Sequence, residues 1–448
     1  MYFLRKFFFA FRALNSLETA VSENEDLAPG HAGLALMKKL TLFFLLCAMA
    51  LPAQQNRLLM ISIDGLDHRW LRDADQLGVK IPTLRRLARE GARADGVLGV
   101  VPTVTWPSHT TIVTGVSAWG HGIVSNNQPG KPGQRWWYVE FLKSKTLWEL
   151  AGEKGLKTAA VWWPVTARGK IDFNLPEFWD DAEVKPYAFA PVARNATPGL
   201  VERIQRREPS FGGKNFTDEQ AAIAVRVLFE TERPDLTLWH LGELDTAQHE
   251  TGAFSSHAKE TLEHQDELLA KVLKVLPERS YVAIVSDHGF ETEERLLRPE
   301  VLLRQAGIEA KVEVAEGIFG VSDEKAAHYF RSQAGKKDSP IAREVPIEEV
   351  RRLAPALKPW TAAFETAGGV MVVKGTGGPA LSDAGGRGDH GLWPTRQGYR
   401  ASFVLWGPEI KPRVLPEIGM LDIAPTLADV LGVKLPRTEG KSLWDQLQ

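Results

Sequence analysis

The sequence predicts an α/β protein, a three-layer sandwich with a mostly parallel central sheet. Three observations predict it. Runs such as Leu58-Leu59-Met60-Ile61-Ser62-Ile63 and Tyr281-Val282-Ala283-Ile284-Val285-Ser286 are apolar almost throughout instead of alternating, the pattern of strands buried on both faces. Segments with helical punctuation alternate with them, which favours parallel strands joined by helical crossovers. Finally, Asp64, Asp245 and Asp287 fall at or just past strand ends, where sheets of this kind gather ligands.

Taken in order, the strand Leu58–Ile63 ends in Asp64-Gly65. Pro82 to Gly91 has proline at its start and glycine at its end, the asymmetry of a helix. The loop Pro102-Thr103-Val104-Thr105-Trp106-Pro107 leads to a helix opened by Ser108 and closed by Gly115. A helix over 145–155 feeds the strand 157–163, stopped by Pro164. From Val165 to about 215 periodicity fades, and the stretch reads as an insertion over the site. The helix 217–231, strand 236–241, helix 256–276 and strand 281–286 continue the alternation. Residues 291–375 read as a second insertion, with a helix at 299–305 and a strand at 369–373. The strand 401–406 and helix 422–431 resume the core. One catalytic domain over 54–448 with two cap insertions is the expectation.

At 448 residues and 44% hydrophobic content there is ample material for a core. A net charge of −2 without a sustained basic run argues against a stable nucleic-acid complex, though not against a nucleotide substrate. Met37-Lys38-Lys39 precedes an apolar run and the small residues Ala48, Ala50 and Ala53, the layout of a secretory signal peptide. That run is too short for a membrane span, which needs about 20 residues. Residues 37–53 are therefore expected to be a signal peptide on an exported protein, and 1–36 a mis-assigned upstream segment. Taking residues 1–53 away removes five Lys/Arg and four Asp/Glu, leaving 49 against 52. It also removes Cys47, the one cysteine, so any metal site must use His and carboxylate.

Three fragments supply such ligands. Asp245-Thr246-Ala247-Gln248-His249 sets a carboxylate and an imidazole on one helical face. Ser286-Asp287-His288-Gly289 puts two ligand types at a strand end, and the loop Gly385-Gly386-Arg387-Gly388 can return Asp389-His390. An Asp before Gly is most often a turn residue, and Asp245 with His249 fits a helix cap. It is their co-occurrence that points to metal. Zinc suits mixed His and Asp ligation, and two ions can hold the attacking and leaving oxygens of a phosphoryl transfer.

In this order the fragments resemble the alkaline phosphatase superfamily and, within it, the nucleotide pyrophosphatase/phosphodiesterase (type I phosphodiesterase) family. The closing stretches Asp422 to Gly432 and Gly440-Lys441-Ser442-Leu443 resemble the superfamily's last segment. The resemblance implies an alkaline phosphatase-like fold and two Zn2+ ions. Asp64, Thr105, Asp287 and His288 would surround one; Asp245, His249 and His390 would hold the other. It makes Thr105 the nucleophile, Asn126 a donor to a phosphate oxygen, and Trp106 a surface for a nucleotide base. Gln248 departs from the pattern, since family members often have glycine before the histidine.

Attack by the Thr105 hydroxyl would give a phosphothreonine that water then hydrolyses. The expected substrate is a small phosphoester or nucleotide. A phosphomonoesterase, a phosphonate hydrolase and a catalytically silent binding protein are the alternatives. A sulfatase is disfavoured because threonine cannot become formylglycine, and a phosphoglycerate mutase because that branch resembles a serine-nucleophile enzyme of the cytoplasm. His109, His121 and His240 read as structural, and His257 and His264 as solvent-facing. Trp162 and Trp163 read as core or pocket wall, Trp136, Trp137 and Tyr138 as a candidate rim. Arg168 and Lys170 read as solvated surface cations.

Overall fold

The computed structural model describes residues 56–131, 133–179, 187–357 and 360–448. The expected signal peptide and the segment before it lie outside these residues. The main sheet contains β1 (Arg57–Ile63), β2 (Ala92–Ala94), β3 (Thr158–Val161), β4 (Phe173–Leu175), β5 (Leu236–Leu241), β6 (Ser280–Val285), β7 (Phe403–Trp406) and β8 (Arg413–Leu415). Their order is β8-β2-β7-β6-β1-β5-β3-β4. Only β7 runs against its neighbours; the remaining pairings are parallel. The mostly parallel α/β architecture is the one expected.

Helices cover both faces. On one side α1 (Pro82–Glu90), α3 (Asp218–Thr231) and α5 (Ser256–Leu273) bury Leu84, Leu87, Val225, Leu228, Leu262 and Leu269. On the other, α2 (Thr105–Thr114) and α6 (Ile423–Leu431) bury Ile112, Val113, Ile423 and Leu427. Strands β1, β5 and β6 are enclosed between these layers, and every residue of β5 and β6 is buried. Their unbroken apolar runs follow from that enclosure.

Two segments differ from the expectation in detail. The stretch after Val165 adds β4 to the edge of the main sheet before it forms the helices Phe189–Asn195 and Leu200–Arg207. A three-residue strand is too short to show a period. The helix expected to open at Ser108 begins at Thr105 instead. Pro107 is no obstacle there, because an N–H in the first turn has no partner within the helix.

Within 291–375, strands Val312–Ala315, Ile318–Val321, Ala362–Thr366 and Ile341–Val345 form a separate antiparallel sheet, with its own core of Phe319, Phe330 and Phe364. Among the described residues no helix is long and apolar enough to cross a membrane.

Candidate metal centre

The register of three adjacent strands builds the centre. Ile63 of β1 pairs with Leu241 of β5, and Ser62 with Val285 of β6. With strands about 4.8 Å apart, the residues that follow each one emerge side by side. Asp64 leaves β1 and Asp287-His288 leaves β6, while β5 runs into α4 (Glu243–Thr251). Asp245 and His249, four residues apart on α4, face the same way, with His249 Nε2 3.5 Å from Asp245 Oδ1. His390 returns on the glycine-rich loop, and its Nε2 lies 3.7 Å from the same oxygen. Gly388 permits that return, because a Cβ there would lie 2.4 Å from the Gln248 carbonyl.

The six His and Asp residues expected as ligands therefore meet. Ligand atoms of Asp64, Asp287 and His288 lie within 4.8 Å of one another, as do those of Asp245, His288 and His390. The His288 and His390 rings stack 3.7 Å apart. Asp389, not expected as a ligand, groups with His249 and His390, but its side chain is 47% exposed.

The hydrogen bonding of this group fits a cation. His249 Nδ1 meets the Gly388 carbonyl at 2.9 Å, His288 Nδ1 that of Gly289 at 3.2 Å, and His390 Nδ1 that of Thr103 at 3.3 Å. A carbonyl can only accept, so each Nδ1 keeps its proton, and in the neutral ring each Nε2 presents a lone pair. Those lone pairs face carboxylates. Asp64 Oδ1, Asp245 Oδ1, Asp287 Oδ2 and His288 Nε2 are buried without hydrogen-bond partners. Acceptors crowded together in a dry site repel one another unless a positive charge lies between them.

Burial lowers the His288 imidazole, but the adjacent Asp287 carboxylate outweighs it and holds that ring above its ordinary value. Burial, then the nearby Asp287, raises the Asp64 carboxyl well above its ordinary value, and burial raises Asp245 to about 6. Burial also holds the His390 imidazole well below its usual range. Metal binding would reverse the cost of ionising both carboxylates.

Thr105 is the first residue of α2 and is buried, 6% exposed. Val104 before it supplies no side-chain cap. Asn126 does so from outside, its Oδ1 accepting the Trp106 N–H at 3.1 Å. The Asn126 amide is thereby held beside Thr105 with its NH2 group uncommitted to the helix. Trp106 is only 4% exposed and packs edge-on against Trp137 and Trp179, with the Arg135 guanidinium 5.0 Å over its ring. Its ring face is thus already covered by protein.

Around the ligands lie residues read as structural from sequence. His109, fully buried, bonds the Thr105 carbonyl through Nδ1 and lies 3.7 Å from Asp287 Oδ2. His121 bonds Thr111 and the Ile123 N–H. His240 is a buried core histidine with an added task. Its Nε2 lies 2.9 Å from Asp64 Oδ2 and orients that carboxylate, while Nδ1 meets the Trp162 carbonyl at 3.0 Å. Glu177, which the sequence did not single out, lies 3.7 Å behind it. The only available signal for His240 was a polar residue inside a buried strand. Trp163 and Trp162 are both core, and Trp137 is buried rather than at a rim.

The type I phosphodiesterase / nucleotide pyrophosphatase family profile matches residues 58–361. The chain belongs to that family. Ectonucleotide pyrophosphatase/phosphodiesterase family member 7 of Homo sapiens is 28% identical over 256 residues, covering 53% of this chain and 48% of that protein. Venom phosphodiesterase of Naja atra is 25% identical over 255 residues, 53% of this chain and 26% of that protein. The chain thus spans about half or less of the length of these relatives. The solved structure of murine ectonucleotide pyrophosphatase / phosphodiesterase 5 matches with a TM-score of 0.58 at 18% identity, over 88% of this chain and 100% of that one. At that identity the match shows the fold alone, and it is the family's fold.

Proposed function

We propose that this protein is a zinc-dependent hydrolase of phosphodiester or pyrophosphate bonds in nucleotide-like substrates, acting through a phosphothreonine on Thr105. The observation that carries the reading is the set of partnerless ligand atoms on Asp64, Asp245, Asp287 and His288. They converge beside the segment that presents Thr105. Asp64, Thr105, Asp287 and His288 would hold one Zn2+, and Asp245, His249 and His390 the other. Bound ions would supply Lewis-acid charge to the attacking and leaving oxygens.

The chain's own residues account for the rest. Thr105 Oγ1 forms the new bond to phosphorus, its hydroxyl proton passing to solvent, as the bond to the leaving oxygen breaks and that oxygen keeps the electron pair. Water then displaces Thr105 from the opposite side. Placement at the start of α2 favours negative charge on Thr105 and on the phosphoryl oxygens. The Asn126 NH2 group would donate to one of those oxygens. Family membership supports the reaction class. An inactive threonine-to-alanine variant of the murine neighbour was solved in complex with AMP, which supports a nucleotide-like substrate. The Lys38-Lys39 and apolar segment supports export, as do relatives named ectonucleotide or venom enzymes.

The test is turnover of a chromogenic diester, a monoester and a dinucleotide, with and without chelator. Diester or dinucleotide cleavage that chelator abolishes and Zn2+ restores is the expected result. Thr105→Ala should lower kcat by at least about a thousandfold while metal content stays at the wild-type level. Wild-type-like turnover in that variant would overturn the nucleophile assignment.

A further inference from the structure

Gln248 stands on α4 between the expected ligands Asp245 and His249, at the position where the family resemblance leads one to expect glycine. Its side chain is fully buried. Nε2 donates to the Gly65 carbonyl at 3.0 Å, and Oε1 accepts from Trp70 Nε1 at 3.2 Å. A carbonyl can only accept and an indole N–H can only donate, so both ends of the amide are committed in one orientation.

The Gly65 contact links separate parts of the centre. Gly65 directly follows Asp64, and its own N–H donates to Asp287 Oδ1 at 3.1 Å. One glycine thus receives α4 through Gln248 and holds the carboxylate that leaves β6. Only glycine suits this point. Its φ is +66°, and a Cβ would come within 2.9 Å of Phe290 and 3.0 Å of Gln248 Nε2. The far side of α4 is fixed as well, by the approach of Gly388 to the Gln248 carbonyl and by the hydrogen bond from His249 to Gly388. In this chain the helix that carries Asp245 and His249 is joined through the Gln248 amide to the loop that carries Asp64.

We propose that Gln248 is a positioning residue that sets the spacing between the Asp64–Asp287–His288 group and the Asp245–His249–His390 group. The inference rests on the two-metal reading above. Outer partners of ligating side chains commonly contribute about 10- to 100-fold to metal affinity. A tether between two groups should act chiefly on the ion that binds second, and on kcat more than on KM.

The test is calorimetric titration of the metal-free full chain with Zn2+, for wild type, Gln248→Gly and Gln248→Met. The methionine variant keeps side-chain length and bulk while removing both hydrogen bonds, so it stands in if the glycine variant fails to fold. Expected are two ions bound by wild type, a second ion bound at least about tenfold more weakly by either variant, and a kcat loss at near-constant KM. Variants that lose thermal stability when metal-free, yet bind both ions as wild type does, would overturn the inference and leave Gln248 a core hydrogen bond only. If wild type itself takes up fewer than two ions, the two-metal reading falls and this inference falls with it.

Discussion

At the scale of single residues, the centre depends on which atom of each side chain is already in use. His249, His288 and His390 each direct Nδ1 at a main-chain carbonyl, so their Nε2 atoms all turn inward. Asn126 follows the same logic, with Oδ1 committed to the Trp106 N–H and the NH2 group left over. This division predicts a separation of roles. Asn126→Asp keeps the acceptor that caps α2 and removes the donor, so kcat should fall about 100-fold while the unfolding midpoint stays within about 2 °C of wild type. A matched loss of stability would assign Asn126 to the helix alone. The resemblance had marked Asn126 as a donor, but the inward nitrogens were not readable in advance. The sequence names the ligating residues, but which nitrogen faces inward depends on carbonyls brought up from elsewhere, such as that of Thr103 for His390.

At the scale of elements, strand ends and short clamps hold the ligands in place. Asp67, completely buried, accepts from Arg69 Nε at 2.7 Å and Nη2 at 2.9 Å and from the Phe290 N–H at 3.2 Å, while Arg69 Nη2 donates to the Phe290 carbonyl at 2.8 Å. The pair fastens the loop after β1 to the segment that follows Asp287-His288. Burial alone would raise the Asp67 carboxyl, but its bonds to His68 and Arg69 hold it below the ordinary 3.8. A depressed acid stabilises the fold at pH above its unfolded value, and that stabilisation is lost as pH falls through the folded value. Asp67→Asn should therefore cost about 3 kcal/mol at neutral pH. In urea titrations its gap from wild type should close as the pH drops below about 4. A gap that persisted unchanged into acid would refute the ionic account.

The elements themselves were largely legible. β5 and the helix Pro299–Gln305 have the predicted ends, because unbroken apolar runs and proline starts are local signals. The start of α2 was misread. Its cap comes from Asn126, 20 residues away, and Ser108 was the more obvious local candidate.

Over the whole molecule, the ligand set is drawn from segments between Asp64 and His390, so metal and fold should be linked. A ligand bound only by the native state stabilises it by mass action, by about 4 kcal/mol when present at a thousand times its Kd. For a unit of this size, chelator should lower Tm by about 5 °C, and added Zn2+ should restore it. An unchanged Tm in differential scanning calorimetry, with metal content shown to be removed, would argue against ligation by this set.

Local patterning was enough to specify the central strands, most of the helices that cover them and the inventory of His and Asp residues, because burial on two faces and helix ends each leave a short-range trace. It also implied where the ligands gather, since parallel strands end on one side of the sheet. The inner order of the site came from long-range pairing. Gln248 bonds Gly65 across 183 positions and His240 bonds Asp64 across 176. Such contacts follow from strand order and register, which place β5 beside β1, and a side chain's partner across that distance leaves no periodic mark in the chain.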